Sequence, residues 1–567
     1  MALVMDIAVV ALRMLLPLYT IVIVYQCFAS MRRKRRSERS LVLLQDTETG
    51  VKTPVLFWEN SIGRSRGSDI AVDDPAVSRD HCVLLRRKEG WFIADTGSKT
   101  GTFVNGSRVR RRTQVKIDDI ISIGNREYAL KRGDEFHEEL KSSWFFSKVS
   151  NKPAMKSYKL MILITLFHIF MGVEACFCNG AESFKEYWFS PVFDPLYICG
   201  ALVAVEWIYF AISSFALKRV SFEIESLCLF LTGIGVMLLV RQDMRSALVQ
   251  LIAASVGMVV FCALIKFIEN PDRIGKWRLI IMIAAVGLLA INLVFGKVTN
   301  GSANWIQLGP ITIQPSEFVK IAYIFVGAST LDRLQTKQNL IEFIIFSMVC
   351  VGALALMGDF GTALIFFMSF LIISFVRSGD FKTLILALTG AGAAAIIVLR
   401  FKAYVLDRFK AWRHVWQHTQ DAGGYQQART LTYIASGGLF GVGIGNGCLK
   451  YVAASESDLV FGLMSEEMGF IVAVTIAIAV ASLFLYARSV TTRARSTFYS
   501  ISACCAAGML VIQMSLNIFG ATDILPLTGV TFPFISAGGS SIISCWGLLA
   551  FIKAADEKTY SLKVKQK

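Results

Sequence analysis

The sequence predicts a polytopic α-helical membrane protein that carries one all-β domain. Hydrophobic residues make up 54% of the 567 positions and charged residues only 18%, against about 25% charged residues in an average soluble protein. From about residue 158 to 555 the chain is a series of apolar stretches, each long enough to cross about 30 Å of hydrocarbon. The region 40–135 interrupts this composition with short alternating runs, which are typical of strands.

The first element is an apolar stretch over residues 1–30, and the basic cluster Met31–Arg36 follows it directly. A cleavable signal peptide would carry its positive charge before the apolar stretch. Because basic residues stay on the cytoplasmic side, we expect an anchor helix with its N-terminus outside and the following residues in the cytoplasm.

The second element, residues 40–135, contains short apolar runs separated by Gly, Asn and Asp. Short strands at near-regular spacing predict a β-sandwich. Residues 136–157 are charged and polar and are interpreted as a linker.

The remaining elements are membrane spans, which together with the anchor number about thirteen. They are predicted near 158–178, 194–216, 222–240, 246–268, 277–296, 316–331, 338–357, 360–376, 382–399, 463–487, 498–519 and 530–555. Basic residues occupy alternate loops, which places the tail 556–567 in the cytoplasm and the loop 400–462 outside. The net charge of +16 lies mainly in these loops, so we expect no nucleic-acid partner.

The all-β region contains motifs in a characteristic order: Gly63-Arg64, Ser78-Arg79-Asp80-His81 and Gly101-Thr102-Phe103-Val104-Asn105-Gly106. Over residues 41–132 it resembles the forkhead-associated (FHA) domain, a β-sandwich that binds phosphothreonine. The resemblance implies that Arg64 and Ser78 contact the phosphate and that Thr100 hydrogen-bonds nearby. It also implies that His81 is a structural buttress and that Asn105 braces the loop or contacts the peptide. The alternative is that Arg64 is a turn residue and Ser78 a loop cap.

Four sequence blocks lie within the membrane region. They are Asn300–Ile306 with Gln314–Lys320; Gly358–Ala363; Gly424–Gln426, Ser436–Gly441, Ser457–Phe461 and Glu466–Gly469; and Asn517–Ile518, Pro526–Gly529, Pro533–Ser536 and Gly538–Ser541. On these blocks the chain resembles the SEDS family (shape, elongation, division and sporulation), the RodA and FtsW proteins. The resemblance implies a ten-span core over 217–555, with two extra helices at 158–216 and the anchor as further spans.

Asp458 is the candidate catalytic residue, because the family uses an Asp at this motif position as its essential carboxylate. The implied reaction needs a base for the 4-hydroxyl of an incoming sugar. A diphosphate leaving group needs positive charge, so a divalent cation (Mg²⁺ or Mn²⁺) is a candidate cofactor, and none is certain. The alternative for Asp458 is a helix N-cap.

Further polar residues are expected to line or support a cavity in the outer half of the bundle. They are Glu317, Lys320, Asp359, Gln426, Ser536 and Ser540. Glu317 and Lys320 are three positions apart and share a helix face, so they either orient the lipid diphosphate or form a structural salt bridge. Asp359 has a helix cap as its alternative, and Glu206 is predicted to pair with another helix.

The leading functional hypothesis is a peptidoglycan glycosyltransferase that polymerises lipid II into a growing glycan chain outside the bacterial cytoplasmic membrane. The expected partners are a class B penicillin-binding transpeptidase and a phosphothreonine-containing protein bound by a cytoplasmic FHA domain. A lipid II flippase and a non-catalytic scaffold for phosphorylated division proteins are the alternatives. Division, elongation and sporulation roles stay open.

Overall fold

The computed structural model describes residues 2–31, 42–132, 155–176, 194–330, 337–378, 403–491 and 497–556, with short gaps inside some of these ranges and five isolated positions between 385 and 392. The predicted linker, the C-terminal tail and the predicted span 382–399 lie almost wholly outside the described residues. The fold is built from fifteen helices and fourteen strands among the described residues.

The predicted all-β domain is confirmed as two facing sheets. Its strands are β1 (Val42–Asp46), β2 (Lys52–Val55), β3 (Glu59–Gly63), β4 (Ile70–Ala71), β5 (Cys82–Arg87), β6 (Gly90–Asp95), β7 (Thr102–Val104), β8 (Ser107–Arg108), β9 (Thr113–Val115), β10 (Ile120–Ile123) and β11 (Arg126–Arg132). One sheet has the order β2-β1-β11-β10-β7-β8 and the other β4-β3-β5-β6-β9. Alternate side chains from both sheets, including Leu84, Ile93, Ile121 and Leu130, form one buried core.

The rest of the described chain is mainly helical. Its helices are α1 (Ala2–Met31), α2 (Ser157–Cys176), α3 (Asp194–Ala211), α4 (Glu223–Leu239), α5 (Met244–Ile268), α6 (Pro271–Phe295), α7 (Pro315–Thr330), α8 (Lys337–Leu356), α9 (Phe360–Ser378), α10 (Ala403–Ala411), α11 (Tyr425–Gly437), α12 (Val460–Met468), α13 (Phe470–Thr491), α14 (Thr497–Ala521) and α15 (Gly539–Ala554). Among the described residues, seven helices are long and apolar enough to cross a membrane, and three shorter apolar helices accompany them. The chain is therefore a multi-pass membrane protein.

Three features of the structure differ from the sequence prediction. The predicted span 463–487 is divided at Gly469, whose φ of 94° ends α12 and starts α13 in a new direction. The predicted span 530–555 starts only at Gly539, because the preceding residues form turns. The loop before α7 contains the strands β12 (Lys297–Thr299), β13 (Ser302–Leu308) and β14 (Ile311–Ile313) in one antiparallel sheet. Hydropathy alone carries no information on backbone direction, so these features were not predicted from the sequence.

The helices α1, α2 and α3, which we call the accessory helices, pack on one side of the core. They contact α4, and α1 also contacts α13. The rings of Tyr19 and Phe167 stack at 6.2 Å between α1 and α2. Between α2 and α3, His168 Nδ1 lies 3.3 Å from Glu206 Oε1, and both side chains are fully buried. The predicted pairing of Glu206 with another helix is thus present.

A close approach of α2 to α4 depends on Gly233. A Cβ at this position would overlap the imidazole of His168. Gly200, on α3, has open space around its Cα. We expect Gly233→Ala to destabilise the protein by about 1–3 kcal/mol through overpacking, whereas Gly200→Ala should be neutral or slightly stabilising, because Ala favours a helix. Thermal unfolding of the detergent-solubilised protein measures both, and equal melting temperatures for the two variants would contradict the packing.

Candidate active site

Asp458 lies in a turn that comes before α12. Its amide donates to the carbonyl of Ala454 at 3.0 Å, and Ala454 has a positive φ of 60°. The N-cap residue of α12 is Leu459, and no side chain caps this helix. The cap interpretation of Asp458 was therefore wrong, and the carboxylate is left for another role. The helix α12, which ends at Met468, separates Asp458 from the span, whereas the sequence predicted that Asp458 opens the span.

The turn of Asp458 is held by two neighbouring elements. Asn517, on α14, donates its side-chain amide to the carbonyl of Asp458 at 3.0 Å and to that of Val530 at 2.7 Å. The hydroxyl of Ser536 donates to the carbonyl of Ser457 at 2.6 Å. These bonds join the Asp458 turn to the segment 530–538 and fix its backbone, while the Asp458 side chain stays partly exposed.

Opposing electrostatic effects act on the pKa of the Asp458 carboxyl. Desolvation by the surrounding protein raises the pKa of its carboxyl, and the nearby carboxylate of Asp359 adds to this. A hydrogen bond from the Ser457 side chain and the positive charge of Arg408 act in the opposite direction. Arg408, on α10, is itself oriented by donating to the carbonyl of Leu527 at 2.7 Å. A carboxylate with a raised pKa beside a guanidinium suits a base that works next to an anionic substrate.

Asp359 has the structure of a helix cap. Its Oδ1 accepts a bond from the amide of Thr362 at 3.1 Å, at the start of α9. Its Oδ2 accepts from the side-chain amides of Asn304 and Gln314, each at 3.3 Å. The cap interpretation therefore explains its main contacts, and it also ties the β-strands of 302–313 to the neighbourhood of Asp458.

The pair Glu317 and Lys320 is formed on α7, as its spacing predicted. Lys320 Nζ lies 2.7 Å from Glu317 Oε1 and donates to Gln513 Oε1 at 3.1 Å, and both charged side chains are almost fully buried. Gln513 donates onward to Thr531 at 2.9 Å. A continuous set of hydrogen bonds therefore connects this ion pair to the segment that holds the Asp458 turn, as expected of a structural salt bridge.

Gln426 and Ser540 support the backbone around the site. Gln426 donates to the carbonyl of Ala453 at 2.8 Å, next to the Asp458 turn. Ser540 accepts a bond from the amide of Gln314 at 3.1 Å and so holds the start of α7. Within the described ranges, no three His, Cys, Asp or Glu side chains are grouped so as to hold a metal ion. The divalent cation stays a prediction.

Sequence reasoning missed Arg408, Gln513 and Asn517 as contributors to this site. Arg408 was counted only as a basic residue in a loop predicted to lie outside. Its conflict with the positive-inside rule was the available signal, because an arginine retained in an outer loop often has a specific anionic contact. Gln513 and Asn517 are polar residues inside an apolar helix, which is a recognisable pattern of interhelical contact.

In the sandwich, the predicted phosphate-contacting residues come together at one end. The amide of Arg64 donates to the carbonyl of Ser78 at 2.9 Å, and the Arg64 side chain is exposed. The amide of Lys99 donates to the hydroxyl of Ser78 at 3.1 Å. Lys99 therefore has its backbone beside Ser78, a neighbour that the sequence prediction did not include.

His81 lies beneath this loop and is fully buried. Its Nδ1 accepts from the amide of Ser78, and its Nε2 lies 3.1 Å from the carbonyl of Gly101. These partners assign the neutral tautomer with the proton on Nε2, and they fit the predicted buttress.

Thr100 and Asn105 are engaged in bonds within the domain. The Thr100 hydroxyl donates to the carbonyl of Ala76 at 3.1 Å. Asn105, with a φ of 48°, accepts from the amide of Ile120 and donates to Asp119, each at 2.9 Å. The structure shows the brace for Asn105, and these bonds use one donor and one acceptor of its amide group, so contact with a peptide stays a prediction.

Comparison with known proteins gives two family matches. The model for the FtsW, RodA and SpoVE proteins, described as cell cycle protein, matches residues 236–561. The FHA domain model matches residues 60–124. A solved structure from work described as "Structural coordination of polymerization and crosslinking by a peptidoglycan synthase complex" covers 60% of this chain and 98% of its own, with a TM-score of 0.51 and 23% identity. That likeness shows a shared fold.

Curated relatives cover the same region. The peptidoglycan glycosyltransferase RodA of Mycobacterium tuberculosis (strain ATCC 25618 / H37Rv) is 26% identical, over 57% of this chain and 75% of its own. The probable peptidoglycan glycosyltransferase FtsW of Saccharophagus degradans is 30% identical, over 59% and 92%. The stage V sporulation protein E of Bacillus subtilis is 30% identical, over 52% and 82%.

The buried ion pair on α7 generates a stability prediction. We expect Glu317→Ala to cost about 3–5 kcal/mol, because it leaves the Lys320 charge in a low-dielectric site. The double variant Glu317→Ala/Lys320→Met should be less destabilised. A matched control is Glu342→Ala, which breaks the partly exposed pair with Arg278 and should cost below about 1 kcal/mol.

Thermal unfolding and activity are measured together for these variants. A double variant that is as stable as the wild type but inactive would assign the pair to chemistry and contradict the structural role. A double variant less stable than the single one would contradict the electrostatic reason itself.

Proposed function

Because the chain belongs to the FtsW, RodA and SpoVE family of cell cycle proteins, we propose that it polymerises lipid II into glycan strands as a peptidoglycan glycosyltransferase. The observation that carries the proposal is the position of Asp458 in the turn before α12. There it caps no helix, its side chain is partly exposed, and the positive charge of Arg408 acts on its carboxylate. The relatives named as peptidoglycan glycosyltransferases support the same reaction and favour neither a flippase nor a scaffold.

In the proposed reaction, Asp458 is the base. Its carboxylate takes the proton from the 4-hydroxyl of the incoming sugar while that oxygen attacks the anomeric carbon of a sugar linked to a lipid diphosphate. One C–O bond forms and the bond from the anomeric carbon to the diphosphate breaks. The α-linked donor becomes a β-linked product, so a single inverting displacement is sufficient. No second carboxylic acid is required, because the diphosphate leaves as an anion.

Arg408 is the residue that we assign to the leaving group. Its guanidinium acts electrostatically on Asp458, and its orientation is set by the carbonyl of Leu527. Positive charge placed where negative charge develops lowers the barrier to displacement. A bound Mg²⁺ or Mn²⁺ would supply further positive charge at the same diphosphate.

The orientation and the partners belong to the same proposal. The basic cluster after α1 supports a cytoplasmic sandwich, with the Asp458 turn on the outer side of the bacterial membrane. The protein of shared fold comes from a complex that couples polymerisation to crosslinking, which supports a class B penicillin-binding transpeptidase as partner. The basic end of the FHA domain, with Arg64 and Lys99 around Ser78, supports the binding of a phosphothreonine peptide.

The base role predicts the behaviour of Asp458→Asn. Asn keeps the shape of the side chain but does not accept the proton, so we expect a folded protein with at least about a hundredfold loss of lipid II polymerisation. The control Asp421→Asn removes an exposed carboxylate from the same outer region and should keep its activity. Gel analysis of labelled glycan products measures both. Near wild-type polymerisation by Asp458→Asn would contradict the base assignment.

The pH profile provides a second measurement. A base must be deprotonated, so activity should fall as the pH falls through the raised pKa of Asp458. The acid limb of the profile should therefore lie above the ordinary pKa range of an aspartic acid. An acid limb within that ordinary range would contradict the effect of burial.

The phosphate-binding role predicts the behaviour of Arg64→Ala. The phosphate carries a charge of about −2, and a guanidinium can donate two parallel hydrogen bonds to it. We expect Arg64→Ala to abolish binding of a phosphothreonine peptide, and Ser78→Ala to weaken it less. Arg132→Ala is the control, since Arg132 is exposed at the far end of β11. Fluorescence titration of the purified protein with phosphorylated and unphosphorylated peptides measures the affinities, and equal affinity for both forms would contradict the proposal.

A further inference from the structure

The accessory helices reach the outer segment that precedes Asp458. Arg13, on α1, and Glu174, near the end of α2, form an ion pair with 3.1 Å between Nε and Oε1. Glu174 is almost fully buried, and Arg13 retains only 22% of its side-chain exposure. Both residues lie outside the family match, which begins at residue 236, so this contact is a feature of this chain and not of the shared core.

The guanidinium of Arg13 lies directly against Gly443. A Cβ at Gly443 would overlap it, and the φ of 101° there also favours glycine. The carboxylate of Glu174 lies near the backbone amide of Ile444. The pair therefore packs against the backbone of two successive residues in the segment 441–449, which we call the outer strap.

The outer strap is held from its other side by α12. The amides of Val442 and Gly443 donate to the carbonyls of Glu466 and Glu467, each at 2.9 Å. The carboxylate of Glu466 accepts from the amides of Cys448 and Leu449 at 2.7 and 2.8 Å. Because α12 starts two residues after Asp458, the strap and the Asp458 turn are joined to the same short helix.

We propose that Arg13 and Glu174 are positioning residues for the glycosyltransferase reaction: they hold the outer strap against α12 and so set the place of the Asp458 carboxylate. The proposal rests on the proposed function for its effect on rate. A base displaced by about 1 Å can lose a hundredfold in rate, so a contact remote from the substrate is sufficient to change turnover. Neither residue touches the reacting atoms.

The first test is kinetic and uses the full-length protein in liposomes, with lipid II as substrate. We expect Arg13→Gln and Glu174→Gln each to lower kcat roughly ten- to hundredfold with KM changed less than about twofold. Arg13→Lys keeps the charge and should recover most of the rate. The matched control is Glu206→Gln, which alters the buried contact with His168 between α2 and α3 without touching the strap, and it should keep its kcat.

The second test reports the strap without using activity. Cys448 is exposed on the strap, so its rate of labelling by a membrane-impermeant maleimide depends on how the strap is held. The labelling is done in a Cys178→Ser background, so that this second thiol does not add to the signal. We expect Cys448 to be labelled severalfold faster in Arg13→Gln and at an unchanged rate in Glu206→Gln. A Cys448→Ser variant gives the background signal.

The outcomes separate the two proposals. Unchanged kcat in Arg13→Gln overturns the positioning role, and so does an equal loss in Glu206→Gln, which would indicate general loosening of the accessory helices. Unchanged Cys448 labelling in Arg13→Gln overturns the grip on the strap. If the wild type does not polymerise lipid II, the proposed function fails, and the labelling rates alone then decide whether Arg13 holds the strap.

Discussion

Hydrocarbon provides no hydrogen-bond partner for a charge or a backbone amide, and the arrangement of the membrane region follows from that constraint. Lys320 can be buried because Glu317 and Gln513 accept hydrogen bonds from its ammonium group. Lys553 reaches Glu225 at 3.1 Å for the same reason, and both side chains are almost wholly enclosed. In the described segment 441–459, non-helical backbone forms hydrogen bonds with side chains and with neighbouring backbone groups.

The same constraint gives the active site its chemistry. Surroundings that exclude water make a carboxylate a stronger base, because the charged form loses its solvation. They also make an unpaired charge costly, which is why Arg408 is placed near Asp458 and is itself held by a carbonyl. Asn517 donates to the carbonyl of Asp458 and Ser536 to that of Ser457, so these bonds hold the backbone of the turn and not the Asp458 carboxylate. The reactivity of this turn thus comes from the Asp458 side chain, and its rigidity comes from hydrogen bonds to its backbone carbonyls.

Much of this organisation was predictable from the sequence, because its signals are local. Composition predicted the helices, alternation predicted the sandwich, and the three-residue spacing predicted the Glu317–Lys320 contact. Contacts between distant positions were not predictable: Lys320 and Gln513 are 193 positions apart, and Arg13 and Glu174 are 161 apart. The break at Gly469 was not predicted either, because apolar residues lie on both sides of it and hydropathy carries no information on backbone direction. A lone Arg in an apolar anchor was the one local sign of the Arg13 contact.

The burial of α4 also limits how other proteins can approach. Every residue of α4 is buried, and α1, α2 and α3 lie against it together with α5 and α13. In a protein that lacked these three helices, α4 would face lipid and would be open to another membrane protein. In this chain that face is occupied intramolecularly. A second membrane protein therefore reaches α4 only by displacing these helices, whereas α6 has only 17% of its apolar window buried among the described residues.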